Sequence, residues 1–391
     1  VSEESLFETL RKVITSMKLR GSWGLVGNDQ IGGERFIYMP TINLSGKGFT
    51  TGIDQNYGLS GPVYTRYENN SITWEVGEKI NLGIDLQLLN SLNIVVDIFR
   101  ETRRDIFQKK GTIPTYLGTG NTDVFGNLAE MKNQGLDLSI DYNKAFSKDF
   151  YMNFKGTFTY AHNEITKYDE APKYAFQSKV GQSANVSQGY LSNGLFLDEA
   201  EIDRYNQQMG STLGAGDIKY LNVSNMHGYG DDIVDVDDWT WIGNPTVPEI
   251  VYGFGPSFKY KNWDFSFFFQ GVAKTSLFMS GFHPFGDNSL RNVLQFVAND
   301  RWSPTNQNVD AKYPRLTRKT SLNNTNPGNS GRTSDYWMRD GSFLKLKNME
   351  LGYTFKRMRF YISGSNLLTF SKFDLWDPEQ GRSEERRVGK E

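Results

Sequence analysis

The chain has 391 residues, with 43 Lys and Arg against 45 Asp and Glu, a formal net charge of −2. That balance excludes a general nucleic-acid binder, which needs a basic excess to displace counterions from phosphates. The absence of cysteine excludes a disulfide scaffold or a thiolate zinc site. Only 38% of residues are hydrophobic while 14% are aromatic and 39 are glycine, and no stretch approaches the roughly 18 consecutive apolar residues of a membrane helix. A β-barrel escapes that test, because alternate residues face lipid and a wet lumen; a soluble β-sandwich shares the composition.

From the N-terminus, Val1 to Arg11 is charged and poor in apolar residues, which is no signal peptide. A secreted protein would carry one upstream, so the chain reads as an internal piece. Period-2 alternation begins at Lys79–Leu89, where Ile80, Leu82, Ile84, Leu86 and Leu88 alternate with Asn81, Gly83, Asp85 and Gln87. It recurs at Leu136, Leu138, Ile140 and Tyr142 against Asp137, Ser139, Asp141 and Asn143, and again from Tyr151 and from Val251. Each run gives a strand one apolar and one polar face, and each is longer than a usual globular strand.

Short breaks fall near Asn90–Ser91, Ser147–Asp149, Lys261–Asn262 and Lys356–Arg357. Long polar connections lie between them: Gly27 to Ser71, Lys109 to Glu130, Thr166 to Glu249, and Met279 to Gly341. Tight turns alternating with long loops mark a membrane barrel, whose turns gather at one end and loops at the other. About nine strands, four hairpin turns and four large loops result. Two loop segments carry helical spacing, Asp198–Met209 and Ser289–Trp302.

Several clusters invite a chemical reading. Asp231, Asp235 and Asp238 are candidate calcium ligands, but registering the segment as a calcium loop puts His227 and Tyr229 at the first two ligand positions and Asp232 where the turn glycine belongs. A solvated acidic loop is the plainer reading, and a glycosidase carboxylate pair the weakest. Trp239, Trp241, Tyr336 and Trp337 sit at loop–strand junctions; they are candidate contacts for cargo or a partner, with an aromatic girdle or loop packing as the preferred alternative. Arg100, Arg103, Arg104, Lys109 and Lys110 form a basic cluster suited to lipopolysaccharide phosphates at an outer rim, or to water. His162, His227 and His283 are scattered and support no triad or His-rich metal site. Gly118–Gly120 reads as a turn, not a phosphate cradle. No catalytic residue and no resident cofactor is expected.

Over nearly its whole length the chain resembles the SusC/RagA family of TonB-linked outer-membrane proteins. The resemblance rests on KLRGSWGLVGND (18–29), WEVGEKINLGIDLQLLN (74–90), NLAEMKNQGLDLSIDY (127–142), WIGNPTVPEIVYGF (241–254), RWSPTNQNVDAKYPRL (301–316), SDYWMRDGSFLKLKNMELGYTF (334–355) and FYISGSNLLTF (360–370) followed by Asp377-Pro378-Glu379. It implies an all-β fold, the C-terminal part of an antiparallel transmembrane β-barrel over residues 1–380, with extracellular loops carrying short helices. It also implies an N-terminal plug that this stretch lacks. The expected role is import of oligosaccharides or peptides across the outer membrane of a Gram-negative bacterium of the Bacteroidota. A SusD-like surface lipoprotein would form the lid and the TonB complex would supply energy through the missing N-terminal part. The final residues, Gly381–Glu391, depart from the family's ending and read as a foreign tail.

Two other readings stay open on the residues alone. A soluble all-β carbohydrate-binding or hydrolytic domain would fold in water without detergent. A non-transporting barrel would have no plug upstream. If the first reading holds, an open piece of barrel exposes two unpaired edges, and this stretch by itself neither inserts stably nor transports.

Overall fold

The computed structural model describes residues 13–29, 36–113, 124–205, 207–208, 212–229, 231–279, 293–316, 324 and 333–380. The turn at Gly118–Gly120, His283 and the tail Gly381–Glu391 lie outside them. Nine long strands follow one another in a sheet whose spatial order is their chain order. They are β1 (Ile14–Asn28), β2 (Glu75–Leu88), β3 (Leu92–Lys109), β4 (Phe125–Ala145), β5 (Phe150–Lys167), β6 (Ile250–Tyr260), β7 (Trp263–Ala273), β8 (Phe343–Phe355) and β9 (Met358–Ser371). The expected strand count and the alternation of short and long connections are both present. The third expectation was less accurate: β4 starts at Phe125, so the loop predicted to reach Glu130 ends earlier. No helix of the described residues is long and apolar enough to cross a membrane.

The chain divides into two compact units: Val1–Leu138 with Ala161–Pro172 and Ser178–Ala184, and Ser139–Tyr160 with Lys173–Gln177 and Asn185–Glu391. In the first unit β1, β2 and β3 pair antiparallel. The β2–β3 turn places Leu89 and Asn90 at φ of 50° and 56°, and Ser91 N donates to Leu88 O at 3.0 Å. Two left-handed residues make the mirror-image turn that matches the strands' own twist. Register then sorts side chains by face. Leu19, Ile84 and Val96 are cross-strand neighbours, followed by Gly21, Leu82 and Ile98, then Trp23, Ile80 and Arg100. Leu19, Trp23, Ile80, Leu82 and Ile98 are all exposed.

The opposite face of these strands is ion-paired. Arg20 on β1 crosses Gly83 on β2 and donates to Asp97 on β3 at 2.8 Å, and to Asp85 on β2 at 2.9 Å. A Cβ at Gly83 would stand 2.5 Å from Asp97 Oδ1 and 2.8 Å from Arg20 Cζ, so a side chain there would have to push these two side-chain ends aside.

The second unit repeats the scheme on five strands. Phe150, Tyr260, Trp263, Tyr353 and Phe360 form one row across β5 to β9, directly beside the tight turns. The next apolar row is Met152, Phe258, Phe265, Leu351 and Ile362, in which Ile362 is 73% exposed. A far row of Phe158, Tyr252, Gly271, Leu344 and Phe370 closes the series. Tyr260 to Tyr252 spans about 26 Å of strand at about 3.3 Å per residue. On the alternate face lie Asn153, Ser257, Ser266, Glu350 and Ser363. Arg359 on β9 donates from Nε to Asp264 on β7 at 3.2 Å and also pairs with Glu350 on β8, passing over Gly352. Asp141, expected in a polar row, accepts a hydrogen bond from Asn153 at 3.2 Å.

Turns and long connections separate cleanly within this unit. Lys261 N donates to Asp149 O and Thr354 N to Asn262 O, both at 2.8 Å, so the three tight turns lie side by side. Antiparallel pairing then puts the connections 168–249 and 274–342 at the other ends of the strands. In the first unit the long connection holds an element not anticipated, a hairpin of Thr41–Thr51 and Tyr57–Arg66 with several register shifts.

Candidate functional site

The long connections of the second unit fold into a body with its own core. Tyr190, Leu195, Ile218, Tyr220, Val234, Leu277, Met279, Val297, Trp302, Ala311, Tyr313, Trp337 and Phe373 form one buried cluster. Short strand pairs stitch it together: Ser187–Gly189 with Thr240–Ile242, Ser192–Leu195 with Ile218–Tyr220, and Ser276–Phe278 with Met338–Asp340. Segments distant in sequence thus satisfy one another's backbone groups, as buried loops must. The apolar rows of the sheet run from half-buried to exposed, whereas this body holds Tyr190, Tyr220 and Trp337 wholly buried.

The predicted helices are shorter than their spacing suggested. Of Asp198–Met209, only α1 (Glu199–Ile202) is helical, capped by Asp198 accepting from Glu201 N at 2.8 Å. Gln207–Gln208 instead pairs with Ile233–Val234, while Asn206 and Met209 lie outside the described residues. A second helix, α2, covers Val223–Met226. Within Ser289–Trp302, helix α3 covers Gln295–Asn299 and residues 289–292 lie outside the described ones. Trp302 N donates to Tyr313 O, which draws the chain out of the helical path, and Val297 alone of α3 is buried.

The three candidate metal-binding aspartates each have other work. Asp231 accepts from Asn222 Nδ2 at 3.0 Å and Ser224 Oγ at 3.2 Å. Asp235 accepts from Asp237 N at 2.8 Å, and Asp238 accepts from both Ser224 N and Asp235 N at 2.9 Å. Asp235 and Asp238 form a reciprocal capping box at the 3₁₀ turn Val236–Asp238. Asp238 is fully buried, so the plain reading of a solvated loop fails for it; only Asp232 of this run stands in water with no such role. Among the described residues no three acidic or histidine side chains gather where they could hold a metal ion. This donor set does not fit calcium, whose shell needs six or more oxygens.

His227 and Tyr229, which the calcium register made ligands, belong to a ring ladder. His227 stacks on Phe176 at 4.7 Å, Phe176 on Tyr174 at 5.4 Å, and Tyr174 packs against Tyr229 at 4.2 Å. Of the four candidate contact aromatics, Trp337 is wholly enclosed in the core and Trp239 packs against it. Tyr336 donates its hydroxyl to Ala311 O at 2.8 Å, and burial raises its pKa. Trp241 is part-buried in the strand pair opposite Gln188. The structure therefore gathers Trp239, Tyr336 and Trp337 around one core and leaves Trp241 beside it. The aromatic row that borders the exposed apolar band is instead Phe150, Tyr260, Trp263, Tyr353 and Phe360, at the turn end, where period-2 runs stop on an aromatic residue.

The basic cluster is split by register. Arg103 pairs with Glu75, and Arg104 with Glu78 at 3.3 Å. Arg100 continues the exposed apolar row of Ile80 and Trp23 and has no hydrogen bond or ion pair among the described residues.

A groove opens in the loop body, about 530 Å³ in volume, lined by Asn193, Gly194, Leu197, Asp198, Glu201, Arg204, Tyr205, Lys219, Val309 and Asp310. Leu195 N bonds Val309 O at 2.9 Å and fixes one wall. Lys219 pairs with Glu201 at 2.8 Å, and Glu201 also accepts from Leu197 N at 2.7 Å. Burial works to raise the Glu201 pKa, but these bonds prevail and lower it.

No family model matches the chain. Its relatives include TonB-dependent receptor P3 of Formosa agariphila, 26% identical and covering 94% of this chain and 36% of the relative. TonB-dependent receptor SusC of Bacteroides thetaiotaomicron is 25% identical over 97% of this chain and 36% of its own length. The chain spans between 36% and 39% of the curated relatives it matches. Among solved structures, that of the RagAB peptide transporter aligns with a TM-score of 0.67 and 21% identity, over 97% of this chain and 40% of that one. The nine-stranded sheet and folded loops are those of that fold. The chain is SusC/RagA-like: similar in sequence to TonB-dependent receptors and in fold to the RagAB transporter.

Proposed function

We propose that this chain supplies transmembrane wall and surface loops to an outer-membrane importer energised through TonB, acting as a conduit and not as an enzyme. The observation that carries the reading is the division of each strand group into a face of apolar rows, half-buried to exposed, and a polar face that carries ion pairs. Contiguous exposed apolar patches of this extent are rare on soluble proteins. In lipid the rows from Phe360 to Phe370 would cost nothing to leave uncovered, and the aromatic row beside the turns would sit at headgroup level. In this reading Arg100, beyond Ile98 and Leu82 toward the long connections, would meet lipopolysaccharide phosphates.

In this reading the tight turns face the periplasm and the loop body faces outward, under a surface lipoprotein of the SusD type. The cargo is an oligosaccharide or a peptide. RagAB is described as a peptide transporter, and SusC is a relative of equal standing. The test is uptake of labelled oligosaccharides and peptides by cells carrying the full-length protein, with and without functional TonB. Import of either class that stops when TonB is removed supports the proposal. Uptake indifferent to TonB, or recovery of the protein in the soluble fraction, contradicts it.

A further inference from the structure

The groove of the loop body holds charges of both signs, two of which make no ion pair among the described residues. Lys219 and Glu201 satisfy each other. Tyr205, the one ring in the lining, donates its hydroxyl to Tyr220 O at 3.0 Å and meets Phe196 edge-on at 5.4 Å, with the Lys219 ammonium 5.9 Å from its centroid. Arg204 differs: Nε donates to Ala200 O at 2.9 Å, which orients the guanidinium, and its two outer nitrogens make no bond among the described residues. The Asp310 carboxylate likewise makes no hydrogen bond or ion pair among them. Leu197 and Val309 supply apolar wall in the same groove.

This set favours one kind of ligand. A neutral sugar entering the groove would strip water from a cation and an anion that form no ion pair among the described residues, and return no charge to either. The one ring of the lining, Tyr205, already meets Phe196 and Lys219. A ligand with an ammonium and a carboxylate would replace the lost hydration with charge-assisted hydrogen bonds, two of them in parallel on the guanidinium fork. The volume lies within the range of small-ligand sites.

We propose that this groove is a binding site for a short zwitterionic peptide, with its carboxylate on Arg204, its ammonium on Asp310 and its body against Leu197 and Val309. The proposal rests on the import reading, of which it names the ligand class for one site. The probe is triglycine, titrated calorimetrically into the full-length protein in detergent, beside maltotriose and triglycine blocked at both ends. Arg204→Ala and Asp310→Asn should each weaken triglycine by about tenfold or more, the size of a lost hydrogen bond to a charged group. Blocked triglycine should bind as poorly, and the thermal midpoint of both variants should stay that of the parent. Triglycine that fails to bind, or binds both variants unchanged, overturns the assignment, as does maltotriose that binds and is lost with Arg204. Uptake measured in parallel separates the readings: TonB-dependent import without triglycine binding removes this site and leaves the importer standing.

Discussion

The Lys345 ammonium lies 2.6 and 2.7 Å from the two carboxylate oxygens of Asp377. Lys345 stands on the polar face of β8, between Gln270 and Thr369, and its side chain is wholly buried. Glu379 adds a third oxygen at 2.6 Å and also binds Lys347 at 2.7 Å. Just upstream, Phe373 belongs to the core of the loop body, with Leu375 and Trp376 packed against it. The segment 373–379 therefore ties the folded loops to the strand wall, which gives Asp377-Pro378-Glu379 a physical reason to be there.

Removing both acids leaves a buried, unpaired cation. Asp377→Asn with Glu379→Gln should destabilise the protein by about 3–5 kcal/mol, and adding Lys345→Met should restore most of the loss. Thermal or denaturant unfolding of the three variants in detergent checks this. Equal stability of the double and triple variants would show that the ion pairs hold nothing.

The same cluster sets an acid limit. Burial works to raise the pKa values of Asp377 and Glu379, but the bonds from Lys345 prevail and lower both. A carboxylate with a depressed folded pKa stabilises fully above its unfolded value, about 4, and loses that contribution as pH falls through the folded one. The gap in melting temperature between the parent and the double acid variant should be constant from neutral pH down to about 5 and should shrink below about 4. Asp335 runs the other way, since burial raises its pKa, so the gap between variants is the quantity to read and not the parent's curve alone.

Two glycines let arginines reach across a strand. A Cβ at Gly352 would lie 2.5 Å from Asp264 and 2.7 Å from Arg359, as one at Gly83 would crowd Asp97 and Arg20. Gly83→Val and Gly352→Val should each cost up to about 1 kcal/mol, by displacing partly exposed ion pairs. Gly24, with nothing within 4 Å of its added Cβ, is the control position at which valine should have little effect. A melting series over the three variants decides it.

Much of the sheet was legible because its signals are local. Alternation at Ile80–Leu88 and Tyr252–Tyr260, and breaks at Asn90, Lys261 and Lys356, each lie within a few residues and foretold strands and turns. The loop body was less legible. Its order comes from pairs far apart in sequence, such as Ser192 N with Asp335 at 2.7 Å or Arg315 with Asp217 at 2.6 Å. Asp238 read as solvated because a buried N–H partner leaves no periodic trace. The helical spacing of Asp198–Met209 gave way to the pairing of Gln207–Gln208 with Ile233–Val234. The turn-end aromatic row was present in the sequence as the last aromatic of each run, Tyr260 and Tyr353 among them; only register shows that they line up.

Face decides tolerance to charge. Leu351→Arg, in the middle of the apolar band, should cost about 2–4 kcal/mol in a bilayer and reduce the amount of folded protein in the outer membrane. Ser257→Arg, on the opposite face, should leave both nearly unchanged. Heat-modifiable mobility of membrane fractions reports the outcome, and equal loss in both variants would argue against a lipid side.

The most direct test reads the two faces themselves. These 391 residues hold no cysteine, so, with any cysteine elsewhere in the full-length protein replaced, a nitroxide can be placed singly at Phe265, Leu351 or Ile362 and at Ser257, Ser266 or Ser363 in that protein reconstituted in a bilayer. Spin-relaxation accessibility should show the first three open to oxygen dissolved in lipid and closed to a water-soluble nickel chelate, with the serine positions reversed. Labels on both faces that meet the nickel chelate alike would contradict the membrane assignment, and the transport role with it.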